Sequence, residues 1–156
     1  MESIKILSKR ENTEIEKKLN EQFGIKKIPD VISATGKEKL FLFSGNYNEE
    51  QIKKLESIVP VEKVGIYFAK KEERDGSIRL SIEGTQILKK QINKNIFSLN
   101  SEQTEDWMKG HELNVKTGMK GFVVMKHNDD FLGCGKASEE KITNFIPKSR
   151  RLKEKS

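Results

Sequence analysis

The chain has 156 residues and a formal net charge of +6, a length that fits one domain or two very small ones. Charged side chains make up 35% of it and hydrophobic ones 34%, against a usual charged share of about a quarter, so the surface is dense in ions and the core is modest. There is no apolar run of roughly 18 residues to span a membrane, one cysteine excludes an internal disulfide, and Cys134, His111 and His127 make a poor metal-ligand set.

In chain order, Met1 to Lys5 has neither the apolar stretch nor the cleavage site of a secretion signal, so a cytoplasmic location is expected. Asn12 or Thr13 is the predicted cap of a helix over Glu14 to Phe23. Ile15, Leu19 and Phe23 fall on one face of it, and Gly24 stops it. Ile28-Pro29-Asp30 is a turn. Val31–Ala34 and Leu40–Phe43 are short strands joined near Gly36, and Asn48–Ile58 is a second helix. Val61–Ala69 is a strand, Lys70–Gly76 a charged loop, and Ser77–Ile82 alternates with the period of a strand that has one wet face.

Thr85–Lys90 reads as a short helical or turn stretch, Asn95–Leu99 as a strand, and Ser101–Lys109 as a capped helix ending at Gly110. His111-Glu112-Leu113 starts a strand. Gly121–Lys126 and Phe131–Ala137 are strands flanking a turn at His127-Asn128-Asp129-Asp130, where Asn and Asp tolerate turn geometry. Lys141–Ile146 is a last strand, closed by Pro147. The pattern predicts an α+β fold: an N-terminal α+β unit over 1–76, then a small β-barrel over 77–156 with a basic tail.

The placement of charge is more informative than its total. From Lys141 to Ser156, six cations stand against the single Glu154, a net +5. Such a tail fits a polyanion, or else a solvated end that keeps the chain soluble. Within it Lys141, Lys148, Ser149, Arg150, Arg151 and Lys153 are the candidate RNA contacts, with Lys126 and Lys136 nearby. Arg suits bidentate phosphate contact, Lys acts as a point charge, and Ser149 adds a donor. Ile146 and Leu152 are expected to anchor the segment.

Catalytic chemistry finds little support. Cys134 lies between Gly133 and Gly135 in a strand, where an inert buried thiol is expected. There is no phosphate-cradling glycine loop, and neither histidine sits in a nucleophile–base pattern. Gly133 and Gly135 strip one face of their strand, opening it either to a barrel bend or to an RNA backbone. Trp107 fits a core position or a base-stacking platform. No cofactor or metal is expected.

Phe122 to Lys126, Phe131 to Lys136 and Lys141 to Leu152 together resemble the PUA-like domain at the C-terminus of the nucleolar-protein/Sun family of RNA 5-methylcytosine methyltransferases. The chain resembles still more the short archaeal ribosome-biogenesis proteins that carry this domain without the methyltransferase. The resemblance implies a mixed β pseudo-barrel that binds structured RNA, ribosomal or transfer, with no DNA specificity, through a surface of Lys136, Asn144, Lys148, Arg150 and Arg151. It also implies a role in rRNA processing, on a pre-ribosomal particle or beside a separate RNA-modification enzyme. Family members transfer methyl groups with a cysteine pair; this chain has only Cys134, so the activity is not carried over.

Overall fold

A computed structural model describes residues 5–28, 31–35, 38–43 and 65–153. The predicted helix over 48–58, Pro29 and Gly36 in their turns, the first part of the strand predicted over 61–69 and Lys155 of the tail lie outside the described residues.

After a two-residue strand β1 (Lys5–Ile6), helix α1 runs Lys9–Phe23, starting one turn before the cap predicted at Asn12 or Thr13. Ser8 is the reason. Its hydroxyl accepts the Glu11 amide at 3.1 Å, and the Glu11 carboxylate accepts the Ser8 amide at 3.2 Å, a reciprocal capping box. The Lys5 ammonium bonded to Glu11, helped by that Ser8 amide, holds the Glu11 carboxyl below its ordinary value of 4.5. This contribution is therefore present above that value and is lost as pH falls below it. Replacing Ser8 with alanine is expected to cost about 1 kcal/mol of stability, read from urea unfolding. An unchanged midpoint would show that the cap does not hold the helix. At the far end Gly24 takes φ 80° and donates to the Asn20 carbonyl, as the sequence predicts.

Strands β2 (Val31–Thr35), β3 (Lys39–Phe43), β4 (Ile66–Lys71) and β5 (Ile78–Leu80) join β1 in an antiparallel sheet of order β1-β2-β3-β4-β5. Leu40, Leu42, Phe68, Ile78 and Leu80 meet Ile15, Leu19 and Phe23 of α1 in one buried cluster. The period-two reading of Ser77–Ile82 holds only to Leu80. Ser81 caps a new helix α2 (Ile82–Ile87), its hydroxyl accepting the Gly84 amide at 3.0 Å. Gly84 has to be glycine, because a Cβ there would overlap the Phe68 carbonyl oxygen.

A 3-10 turn (Lys89–Gln91) leads to the second sheet, of order β6 (Ile96–Ser98), β7 (Gly121–His127), β8 (Asp130–Ala137), β9 (Ile142–Thr143). Strand β6 pairs parallel to β7, and the other pairs are antiparallel, giving a mixed, curled sheet. The predicted hairpin is present: His127 pairs with Asp130 around Asn128, which takes φ 53°. Strand β7 is apolar without alternation because both its faces are covered. Phe122 and Val124 join the cluster under α1, while Val123 and Met125 join a second cluster with Trp107 of helix α3 (Ser101–Met108).

Two predicted strands are shorter than expected. His111 to Leu113 contributes a single bridge, Leu113 to Ile142, and the strand predicted over Lys141–Ile146 ends at Thr143. Just past its end, the Asn144 side-chain amide meets carbonyls of another segment. The division read at 76/77 falls between β4 and β5, which pair antiparallel, and the first cluster draws residues from both sides of it.

Candidate nucleic-acid interface

The last four carbonyls of a helix have no partner within it. In α3 two of them are met by the basic segment. The Asn144 Nδ2 donates to Trp107 O at 2.8 Å and to His111 O at 3.0 Å, and the Leu152 amide donates to Met108 O at 2.8 Å. Asn144 Oδ1 accepts the Ile146 amide at 2.8 Å, and Ile146 itself is buried. Pro147 then starts a 3-10 turn (Lys148–Arg150), after which Arg151 Nε donates to Ile146 O at 2.9 Å. Arg151 lies so close over Gly110 (φ 91°) that a Cβ there would overlap its guanidinium. The segment is thus laced to the C-terminal end of α3, where cations also suit the helix dipole. Leu152 contributes to this through its backbone; its side chain is 53% exposed, so of the two expected anchors only Ile146 is buried.

The candidate contacts divide by what they touch. Lys148, Ser149 and Lys153 are exposed, and among the described residues Lys148 and Lys153 have no ion pair. Arg150 pairs with Glu83 and Lys141 with Glu112, the latter at 3.0 Å. Both pairs are about half-exposed, so they are weak and exchangeable for a phosphate. Asn144 and Arg151 are engaged in holding the segment. Lys136 lies 5.5 Å from the centroid of Phe122 and Lys126 5.9 Å from that of Phe131. These two lysines sit at opposite ends of the β7–β8 hairpin, so the structure does not gather all nine residues at one point.

Two alternatives left open by the sequence close here. Trp107 is fully buried with its Nε1 directed to Leu132 O at 3.4 Å, so it is core and not a stacking platform. The glycine face of β8 is filled by the protein itself: a Cβ on Gly135 would overlap Ile142 and Trp107, and one on Gly133 would press on Ile82. An RNA backbone has no room against Gly135.

Cys134 is buried as expected, and burial pushes its thiol from 9.0 up to about 12. The folded chain then holds this proton more tightly than the unfolded chain does. Stability from this source is complete below pH 9.0 and declines as pH rises toward about 12. In mildly alkaline solution a thiol reagent is expected to label Cys134 only as fast as the chain unfolds. Immediate labelling of the native protein would contradict the burial.

Sequence reasoning missed a line of aromatic and cationic side chains. The Arg79 guanidinium lies 4.2 Å from the Phe145 ring centroid, and Phe145 meets Phe122 edge-on at 6.1 Å, with Lys136 over Phe122 beyond. Arg79 was visible as the wet position between Ile78 and Leu80, but nothing local ties it to Phe145.

The family model described as the methyltransferase RsmF PUA domain matches residues 94–152, from just before β6 through the basic segment. No curated protein matches the chain. The family match supports a PUA-like domain over residues 94–152, which suggests an RNA partner. The match contains every candidate contact except Lys153.

Proposed function

We propose that the protein binds structured RNA, ribosomal or transfer, by setting the cations of its basic segment against the phosphate backbone, in a cytoplasmic role in ribosome biogenesis and rRNA processing. One observation carries this reading: the segment from Asn144 to Leu152 is fixed to the end of α3 by side-chain and backbone hydrogen bonds. A cation held in place contacts a phosphate with little further loss of side-chain freedom, whereas a floppy tail would lose much of the gain. The PUA-like match over the same residues supports it. Lys148, Lys153 and Ser149 then make direct contacts. Lys141 and Arg150 join by giving up Glu112 and Glu83, and Lys126 and Lys136 extend the track along the hairpin.

Phosphate contacts fix position and not sequence, so discrimination between RNAs has to come from their shape or from unpaired bases. Fluorescence anisotropy with a labelled RNA hairpin at low salt is expected to give saturable binding, weaker for a DNA duplex of equal length. Absence of RNA binding, or equal affinity for the DNA, would refute the reading.

The five-stranded sheet outside the matched stretch favours a second role beside the first, in which this protein brings RNA affinity to a separate RNA-modification enzyme. Such a partner would stay bound after nuclease treatment.

A further inference from the structure

A cleft of about 260 Å³ opens where the two sheets meet. Lys39, Tyr67 and Arg79 line it from the first sheet, and Phe145, Pro147 and Arg150 from the basic segment. Its floor includes Gly133 and Cys134 of β8, the latter buried with a thiol that stays neutral. We infer that this cleft takes one unpaired nucleotide of the bound RNA, its base against Phe145 and Tyr67 and its phosphate facing Lys39, Arg79 and Arg150. The inference rests on the RNA reading above and extends it in two ways. It names the feature of the RNA that is read, and it places part of the binding site outside residues 94–152.

Charge, shape and rigidity each support it. Three cations line the cleft, and Glu83, the one carboxylate among its described lining residues, is already paired with Arg150. The volume is below the roughly 300–1,000 Å³ typical of larger-ligand sites, which suits a single nucleotide better than a helix or peptide. The aromatic walls are preset: Arg79 braces Phe145 at 4.2 Å, and Tyr67 is tilted against Phe41 with centroids 5.8 Å apart. Aromatic faces stack on any base, so the cleft selects unpaired over paired nucleotides and not one base over another.

Glu83 gives the site a sign that can be tested. While it holds Arg150, that cation is shared with the protein's own carboxylate, so removing the carboxylate should free it for the phosphate.

The experiment uses the full chain and two RNA hairpins of equal charge, one fully paired and one with a single unpaired 2-aminopurine in its stem. The parent is expected to bind the second at least about fivefold more tightly, with a change in 2-aminopurine emission as the base leaves water. Lys39→Ala combined with Arg79→Gln should remove most of that preference while affinity for the paired hairpin stays within about twofold. Glu83→Gln should increase the preference. Thermal midpoints of the variants show whether they are folded, and Lys39→Ala alone, at an exposed position, gives the same test in weaker form. If the parent binds both hairpins equally, or the variants keep its preference, the cleft proposal is overturned and the RNA reading stands. If the parent binds neither hairpin, the RNA reading fails and this inference goes with it.

Discussion

Trp107→Ala is expected to lower the unfolding free energy by about 3–5 kcal/mol, the usual cost of removing a large aromatic side chain from a packed core. Trp107 is fully buried at the centre of the second cluster, with Val123, Met125, Ile142 and Leu113 around it. The bare Cα of Gly135 lets the indole lie against β8. A domain of this size is stable by only about 5–15 kcal/mol, so the variant should lose a large part of its stability. Urea unfolding should show a much lower midpoint with an unchanged slope. A cost below about 1 kcal/mol would mean that α3 is not packed on β7 and β8 as described.

Asn144→Ala is the second large effect, and it joins stability to function. The side chain makes three hydrogen bonds, to Trp107 O, His111 O and the Ile146 amide, at 2.8, 3.0 and 2.8 Å. At about 0.5–1.5 kcal/mol each, their loss should cost about 1.5–4.5 kcal/mol. Asn144→Asp refines the test, since a carboxylate still accepts from Ile146 but cannot donate to either carbonyl. It should keep only a small part of the stability. Both variants should also bind RNA more weakly than the parent at temperatures where they are folded, because the basic segment loses its attachment to α3. If RNA affinity is unchanged in a folded Asn144 variant, fixing the segment has no bearing on binding.

The features legible in the sequence were those set by near neighbours. The stripe of Ile15, Leu19 and Phe23, the stop at Gly24 and the β7–β8 hairpin at Asn128 follow from local periodicity and turn chemistry, and the structure has all three. The burial of Cys134 followed from its small neighbours in an apolar strand. The start of α1 was also available, since Ser8 and Glu11 have the spacing of a capping box, but Asn12 and Thr13 are good caps too and compete for the reading. Ile82 fits both a strand and a helix start, and the cap that Ser81 gives to the Gly84 amide takes it into the helix.

What escaped the sequence depends on contacts between distant parts of the chain. Asn144 was a candidate RNA contact only through the family resemblance. The carbonyls it meets lie 37 and 33 residues away, at the end of a helix whose position no local pattern reveals. Arg150 and Glu83 are 67 residues apart, and Arg79 reaches Phe145 only through the packing of one sheet against the other. The candidate interface is therefore readable as a composition of cations. Which of them are exposed, and which hold the segment in place, is decided by the tertiary fold.

The salt dependence of RNA binding addresses that composition directly. Each phosphate neutralised by a lysine releases counterions and adds about one unit to the slope of log affinity against log salt concentration. Lys148 and Lys153 are exposed and have no ion pair among the described residues, so replacing both with alanine should leave the fold intact. The double variant is predicted to bind RNA with a slope shallower than the parent's by about two. Equal slopes for parent and variant would show that the basic segment does not touch the phosphate backbone.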